Sequence, residues 1–480
     1  MVSDELKYRI VQLFGFPPTA EQQHAIDVLT QFMADRNEQA VMVLRGSAGT
    51  GKTTLAAAVV RALTALGQKL VLLAPTGRAA KVLSLYAGHP AFTIHRRIYR
   101  QKSLDGSGQG AFCLNFNASQ DTLFIIDEAS MVSNQTSGDF FAGQSTLLDD
   151  LVRFVYNQRN CRMLLIGDPS QLPPVGETQS PALQSAVLRS YGLRVYEATL
   201  NEVLRQSMDS GILYNATRIR SLTYTEATGG LTMPKVLFEG FPDISRVPGD
   251  ELIETLAGSY SHAGLDDTIV ITRSNKRANI YNQGIRNTVL DREDELCRGD
   301  LLMIVKNNYS IPLPHSGEEE GLTFLANGDR AVVQRVRHIH ELYGFRFADV
   351  TMTLPDYGDY ELTTTVLLDT LTSEAPALTR EQQEQLYLGV MADYSDIPHK
   401  ADRLKKVKAD PHYNALQVKF AYAVTCHKAQ GGQWAHVYVD QGYMTDDMLT
   451  TDYLHWLYTA LTRATERLFL VNWPKEQTEK

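Results

Sequence analysis

The sequence predicts an α/β protein with two open parallel-sheet layers, and three observations carry that expectation. Short apolar β-type runs alternate with helical or polar stretches in both halves of the 480-residue chain. A glycine-rich loop joins one such run to a helical pattern, and a block of alternating β-type segments interrupts the second series. Buried strands alternating with helices make parallel sheets, whose ligands gather at the carboxyl ends of the strands. The length exceeds a single core and suits two to four domains.

The first series is VMVL (41–44), LVLLA (70–74), LFIID (123–127) and MLLIGD (163–168). Two segments within it, QKSLDGSGQGAFCLNFNASQD (101–121) and SNQTSGDFFAGQS (133–145), are rich in Gly, Ser, Asn and Gln and read as loops. The second series is TIVITRSN (268–275), VKFAYAVT (418–425), AHVYVD (435–440) and RLFLVNW (467–473). Between its first two members, LLMIVKNNYSI, FLANGDRAVVQRVR and ADVTMTL alternate in β fashion around an Asn327–Gly328 turn, so a small β-rich module is inserted there. The more polar TLTSEAPALTREQQEQLYLGVMADYSDIP reads as helical in part, and HKADRLKKVK (399–408) as a solvated helix face or loop.

Composition narrows the class. A net charge of −9 supplies no global positive field, although a nucleic-acid groove needs only a local set of cations and stacking groups. Cys113, Cys161, Cys297 and Cys426 are far apart with no CxxC pair, which fits neither a disulfide framework nor a zinc site and reads as reduced thiols. No apolar run approaches the roughly 18 residues of a membrane span, and MVSDELKYRI lacks the pattern of a signal peptide. A soluble, cytoplasmic protein is expected.

Gly46 to Thr53 reads GSAGTGKT and matches G-x-x-x-x-G-K-[ST] in full, between the VMVL run and the helical LAAAVVRALTAL. That context marks a P-loop rather than an idle glycine turn. Its glycines Gly46, Gly49 and Gly51 let backbone N–H groups wrap phosphates, Lys52 reaches the β and γ oxygens, and the Thr53 hydroxyl, with Thr54 beside it, opens the helix where magnesium is ligated. The implied cofactors are ATP and Mg2+. Asp127 and Glu128 close the LFIID run; Asp127 suits a magnesium ligand acting through water, and Glu128 a general base for the attacking water. Gln171, in GDPSQLPPV, stands where an amide could sense a γ-phosphate, although a Gln in a Pro-rich turn is equally compatible with a structural role.

VKFAYAVTCHKAQGG (418–432) raises a different chemistry, because Cys426 and His427 stand side by side. Neighbouring strand positions point to opposite faces, and no acyl-transfer constellation accompanies them, so a thiol-enzyme reading is rejected.

Taken in order, GSAGTGKTT, APTGRAA, TIH, IIDEASM, GDPSQLPPV, LNEVLRQ, TCHKAQGGQ and YTALTRA resemble the motifs of superfamily 1 helicases, in the 5′-to-3′ branch that includes RecD-like and Dda-like enzymes. The likeness runs from Gln22 to Trp473. It implies two RecA-like parallel-sheet P-loop NTPase cores, a small pin insertion in the first and an SH3-like β insertion in the second. The first core would occupy 1–96 and 121–200, the pin 97–120, the second core 201–308 and 412–480, and the β insertion 309–411.

The resemblance also implies site roles. Arg205 and Arg463 would be arginine fingers, and Gln22 the reader of the adenine edge. Pro75, Thr76, Arg78, Thr93, His95, Thr425, His427 and Lys428 would contact the nucleic-acid backbone, with the Gln430–Gly431 turn linking that surface to the nucleotide. Phe112 and Phe116 would be the duplex-splitting candidates of the pin. Single-stranded DNA and single-strand/duplex junctions are the implied partners of a monomer, with single-strand-binding or repair proteins as further ones and with repair, recombination and replication as the processes served. The expected activity is ATP-dependent 5′-to-3′ translocation with unwinding. The rival readings are an ATPase that displaces proteins without appreciable unwinding and a non-catalytic DNA-binding subunit.

Overall fold

A computed structural model describes residues 2–101, 112–136, 145–203, 209–308, 310–311 and 325–479. The chain starts with α1 (Val2–Phe14) and α2 (Ala20–Ala34), then runs β1 (Ala40–Gly46), α3 (Lys52–Ala65), β2 (Lys69–Ala74), α4 (Gly77–Ala87), β3 (Ala91–Thr93) and α5 (Ile94–Ile98). A ribbon of β4 (Tyr99–Gln101) and β5 (Phe112–Leu114) precedes β6 (Thr122–Ile126), α6 (Leu147–Tyr156), β7 (Arg162–Gly167), α7 (Ser185–Ser190) and β8 (Arg194–Leu200).

These strands form a parallel sheet in the order β3-β2-β6-β7-β1-β8. Its central strands β6 and β7 are buried at every residue because helices cover both faces, which is why they read as unbroken apolar runs. The entry to α2 is set by a capping box: the Thr19 hydroxyl accepts the Gln22 N–H, and the Gln22 carboxamide accepts the Thr19 N–H. The edge strand β8 mixes exposed polar with buried apolar positions, so it lacks the apolar run that marks the others.

The second half begins with α8 (Gly211–Gly229), β9 (Val236–Leu237), β10 (Ile244–Val247), α9 (Leu252–His262), β11 (Thr268–Thr272) and α10 (Asn275–Gly284). Next come β12 (Leu301–Ile304), β13 (Arg330–Leu342), β14 (Phe345–Leu354), β15 (Tyr360–Leu367), α11 (Arg380–Asp393), α12 (Lys400–Ala409) and β16 (Leu416–Phe420). The chain then completes the core with β17 (Ala423–Thr425), α13 (Cys426–Ala429), β18 (Trp434–Asp440), α14 (Thr451–Leu461), β19 (Ala464–Val471) and β20 (Thr478–Glu479). A second parallel sheet has the order β10-β19-β18-β11-β17, and β12 to β16 close into a barrel.

Two features differ from the sequence expectation. VKFAYAVT is two strands: β16 ends the barrel, and β17 joins the parallel sheet after the bend at Ala421 and Tyr422. Both strands are buried, so hydropathy carries no sign of the break. The barrel's first and last strands, β12 and β16, also lie outside the span 309–411 expected for the insertion. Helix α11, the EQQEQLYLGVMADY segment, packs Leu386 and Val390 against Phe345, Phe347 and Leu367 of the barrel, together with Val407 of α12. The rest of α12 is largely solvated, as its charge run suggests.

The bend is pinned by a buried carboxylate. Asp300 accepts the Tyr422 hydroxyl at 2.9 Å and the Cys297 N–H at 2.7 Å, and pairs with Arg286 at 3.0 Å and Arg292 at 2.9 Å. Asp300→Ala should lower unfolding free energy by about 3–5 kcal/mol, because Arg286 is left buried without its counter-ion. A urea titration against the parent chain measures this, and an unchanged midpoint contradicts it.

Candidate nucleotide cleft and strand-contacting surface

The GSAGTGKT loop spans the end of β1 and the start of α3. Gly49 and Gly51 adopt φ of +77° and +79°, a region costly for residues with a Cβ. A Cβ on Gly46 would lie 2.7 Å from Lys52 Cγ, so glycine there lets the lysine fold along the loop. Lys52 Nζ donates to the Ser47 carbonyl at 3.2 Å. Thr53 is partly buried and Thr54 exposed in the first turn of α3, whose Gly51 cap offers no side-chain acceptor. Uncapped N–H groups at a helix start suit an anion. Gln22 is buried and donates to the Thr50 carbonyl at 3.0 Å, tying the α2 capping box to the P-loop.

Asp127 and Glu128 follow β6, next to β2 through the Asp127 N–H to Leu73 carbonyl bond of 2.9 Å. Burial, then the Glu128 charge, pushes the Asp127 carboxyl up to about 6, with Lys52 pulling the other way. Glu128 itself has φ +50°, a left-handed conformation that a non-glycine residue holds only where its surroundings impose it. Two crowded carboxylates of which one resists ionisation fit a divalent cation, and Asp127 with the Thr53 hydroxyl would supply oxygen donors of the kind Mg2+ takes.

The second core meets this cleft through α14. Tyr458 Oη accepts the Ala48 N–H of the P-loop at 2.8 Å and donates to Asp168, after β7, at 2.6 Å. Thr459 Oγ1 accepts the Leu172 N–H at 2.8 Å, His455 Nδ1 lies 2.7 Å from the Ser170 carbonyl, and Gln430 Nε2 donates to the Leu172 carbonyl at 2.6 Å. Gln171 sits buried inside this seam with its Oε1 lacking a hydrogen-bond partner among the described residues.

The cations are distributed unequally. Arg463 is buried and donates within its own core, to the Thr459 carbonyl at 3.1 Å and the Gly432 carbonyl at 3.2 Å. Arg205 lies outside the described residues. Arg220 of α8, which no sequence motif marks, reaches the Ser47 hydroxyl of the P-loop and the Asn201 carbonyl.

The expected strand-contacting residues differ in what their side chains do. Thr76 and Thr93 use their hydroxyls as helix caps, accepting the Ala79 and Arg96 N–H groups at 3.2 and 3.3 Å, and Pro75 adjoins the first of these. Burial pulls His95 down to about 4, so its ring is neutral. Arg78 is enclosed between the cores: its guanidinium lies 4.2 Å from the Trp434 ring and donates to the Gln433 carbonyl, and burial pulls it down to about 10. At the other motif, Thr425 occupies the N-cap position of α13 without a side-chain cap bond, His427 is exposed, and Lys428 donates to Asn327 of the barrel turn. Burial, then Lys419, draws Lys428 down to about 8. Cys426 is fully buried, and burial pushes its thiol up to about 12, which leaves no thiolate for catalysis.

Phe116 is 62% exposed, beyond the β4–β5 ribbon, and the side chain of Phe112 lies outside the described residues. Residues that sequence reasoning passed over, Tyr458, Asp168, Trp434 and Arg220, all act across the seam between cores. Spacing along one chain does not announce such pairings.

Two α/β cores meeting at a complete P-loop define the molecule as a two-core P-loop NTPase. Comparison with known proteins agrees: residues 18–229 match an AAA domain and residues 420–471 a UvrD-like helicase C-terminal domain. The ATP-dependent DNA helicase dda of Enterobacteria phage T4 is 24% identical over 86% of this chain and 90% of its own length. The ATP-dependent RecD2 DNA helicase of Deinococcus radiodurans is 35% identical over 28% of this chain, a match covering 16% of that protein. A Pif1 helicase structure from Candida albicans superposes with a TM-score of 0.45 at 17% identity, covering 97% of this chain and 96% of its own. The chain is thus similar to ATP-dependent DNA helicases, with the two matched models falling on its P-loop core and on the end of its second core.

If Asp127 holds Mg2+, its carboxyl must be ionised to do so, and magnesium-nucleotide affinity should then fall by up to about tenfold per pH unit below about 6. Asp127→Asn removes that slope while keeping the nucleotide's own titration, so the two proteins should diverge. Parallel profiles, measured by fluorescent-nucleotide binding, contradict the assignment.

Proposed function

We propose that this protein is an ATP-dependent DNA helicase that moves 5′ to 3′ along single-stranded DNA, hydrolysing ATP between its two cores. The observation that carries the reading is the seam itself: the P-loop, the GDPSQL turn and α14 are bonded together, and Gln430 extends the connection to the Thr425–Lys428 surface. A change in the phosphate site therefore has a physical route to a strand-contacting site.

In this reading the P-loop backbone and Lys52 hold the phosphates, while Thr53 and Asp127 hold Mg2+, whose charge when bound helps neutralise the phosphate oxygens. Glu128 takes the proton of the attacking water, and the Gln171 amide senses the terminal phosphate from within the seam. Arg463 reaches the cleft only by leaving the Thr459 and Gly432 carbonyls, so closure of the cores and insertion of the finger are one event. Arg205 is the second finger, and Arg220 holds the P-loop rim through Ser47. Gln22 retains one N–H and one lone pair for an adenine edge beyond its two bonds to Thr19 and Thr50.

On the DNA side, exposed His427 and partly buried Pro75 and Thr425 face the strand. Thr76, Thr93, His95, Arg78 and Lys428 support the surface from the interface beneath. Phe116 and the β4–β5 ribbon carry the wedge. The inserted module runs from 301 to 420 in this assignment, and the cores occupy the remainder. The protein acts as a cytoplasmic monomer at single-strand/duplex junctions.

ATP hydrolysis should be stimulated by a single-stranded oligonucleotide and reduced about 100-fold or more in Lys52→Ala. Duplex with a 5′ tail should open in preference to duplex with a 3′ tail. Preferential opening of the 3′-tailed substrate overturns the polarity, and hydrolysis indifferent to DNA overturns the motor.

A further inference from the structure

We propose that His262, His436 and Glu466 form a binding site for a zinc-class divalent cation at the amino-terminal end of the second sheet. The site is independent of the nucleotide chemistry. Its three residues come from the last position of α9 and from the adjacent strands β18 and β19.

His436 anchors it. The residue is 3% exposed, and its Nε2 is buried with no hydrogen-bond partner among the described residues. Its protonation pattern follows from the bonds behind it. The Tyr438 hydroxyl donates to the Thr255 carbonyl at 2.8 Å, so it can only accept from the Ser259 hydroxyl, 2.6 Å away. With its hydrogen so committed, Ser259 Oγ accepts from His436 Nδ1 at 2.9 Å. Nδ1 therefore carries the ring proton and Nε2 a free lone pair, held in place by a relay of the kind that orients metal-bound histidines. A buried acceptor nitrogen with nothing to accept from is unfavourable until a ligand satisfies it.

The other two residues lie close to His436. The His262 and His436 rings stack at 5.6 Å between centroids and 23° between planes. Glu466 is brought in by an irregularity in pairing: Trp434 to His436 on β18 faces Ala464 to Arg467 on β19, and the extra residue lets a side chain of β19 be re-aimed. The ligand atoms of all three residues lie within 4.8 Å of one another. Bonds of about 2.0–2.2 Å to one ion then require only modest adjustment, and His262 and Glu466 are exposed and free to make it.

Two imidazoles and one carboxylate favour a zinc-class ion over Mg2+ or Ca2+, which prefer all-oxygen shells. Arg467 is a like-charged neighbour of any ion here. Its guanidinium stacks over Phe469 at 5.2 Å. A bound ion would tie the end of α9 to the β18–β19 pair.

The test uses the full chain stripped with a chelator and titrated calorimetrically with Zn2+ alone. His262→Ala and Glu466→Gln are surface changes suited to leaving the fold intact, which circular dichroism checks. One Zn2+ should bind per chain, and each variant should weaken it by at least about tenfold, the smallest loss usual even for groups one shell further out. Co2+ substituted at the site should show ligand-field bands without thiolate charge transfer. Absence of binding to the parent chain, undiminished affinity in folded variants, or a thiolate band pointing to Cys113 or Cys297 would each overturn the proposal.

Discussion

The hydroxyl of Tyr458 is the interaction on which the two-core arrangement turns. It stands between a P-loop N–H and the buried carboxylate of Asp168, so one side chain of the second core is bonded to two elements of the first. Burial and the adjacent Asp168 hold that hydroxyl well above the usual tyrosine range, so it remains a donor. A P-loop N–H is a group that a bound phosphate also seeks. Nucleotide occupancy and inter-core contact therefore act on the same few atoms, without any need for a long chain of intermediaries.

A second junction sets where the barrel sits. A Cβ on Gly77 would come within 2.7 Å of Asp329 Oδ1, which shows how closely the start of α4 approaches the barrel. Lys81 continues the contact by donating to the Pro355 carbonyl at 3.1 Å, and Arg78 leans on Trp434 at the mouth of the second core. The PTGR segment is thus a meeting point of first core, second core and barrel. Its arginine gains a packing role that a reading confined to DNA contact omits. Gly431 belongs to the same junction, with φ +71° and the space for a Cβ closed by Ala79 and Thr76.

Much of this was legible in the sequence because strand, loop and helix are local events. VMVL, GSAGTGKT and the alanine-rich helix after it specify one another within a short stretch, and the LFIIDE run does the same for the carboxylates. Legibility ended where partners are distant. Nothing in YTALTRA states that its tyrosine bonds to Ala48, and nothing in α8 marks Arg220 for Ser47. VKFAYAVT failed for another reason: a strand leaving a barrel and a strand entering a buried sheet are equally apolar, so hydropathy cannot mark the bend that Asp300 and Tyr422 impose. The metal-like cluster was invisible because its three residues are dispersed over α9, β18 and β19 and no cysteine accompanies them.

The claim that inter-core bonding couples hydrolysis to the strand is tested most directly by measuring ATPase activity of Tyr458→Phe with and without single-stranded DNA. Nucleotide binding should survive, since the P-loop, Lys52 and Asp127 are intact, while stimulation by DNA should largely disappear. A variant stimulated as strongly as the parent chain would contradict the account and place the coupling elsewhere in the seam.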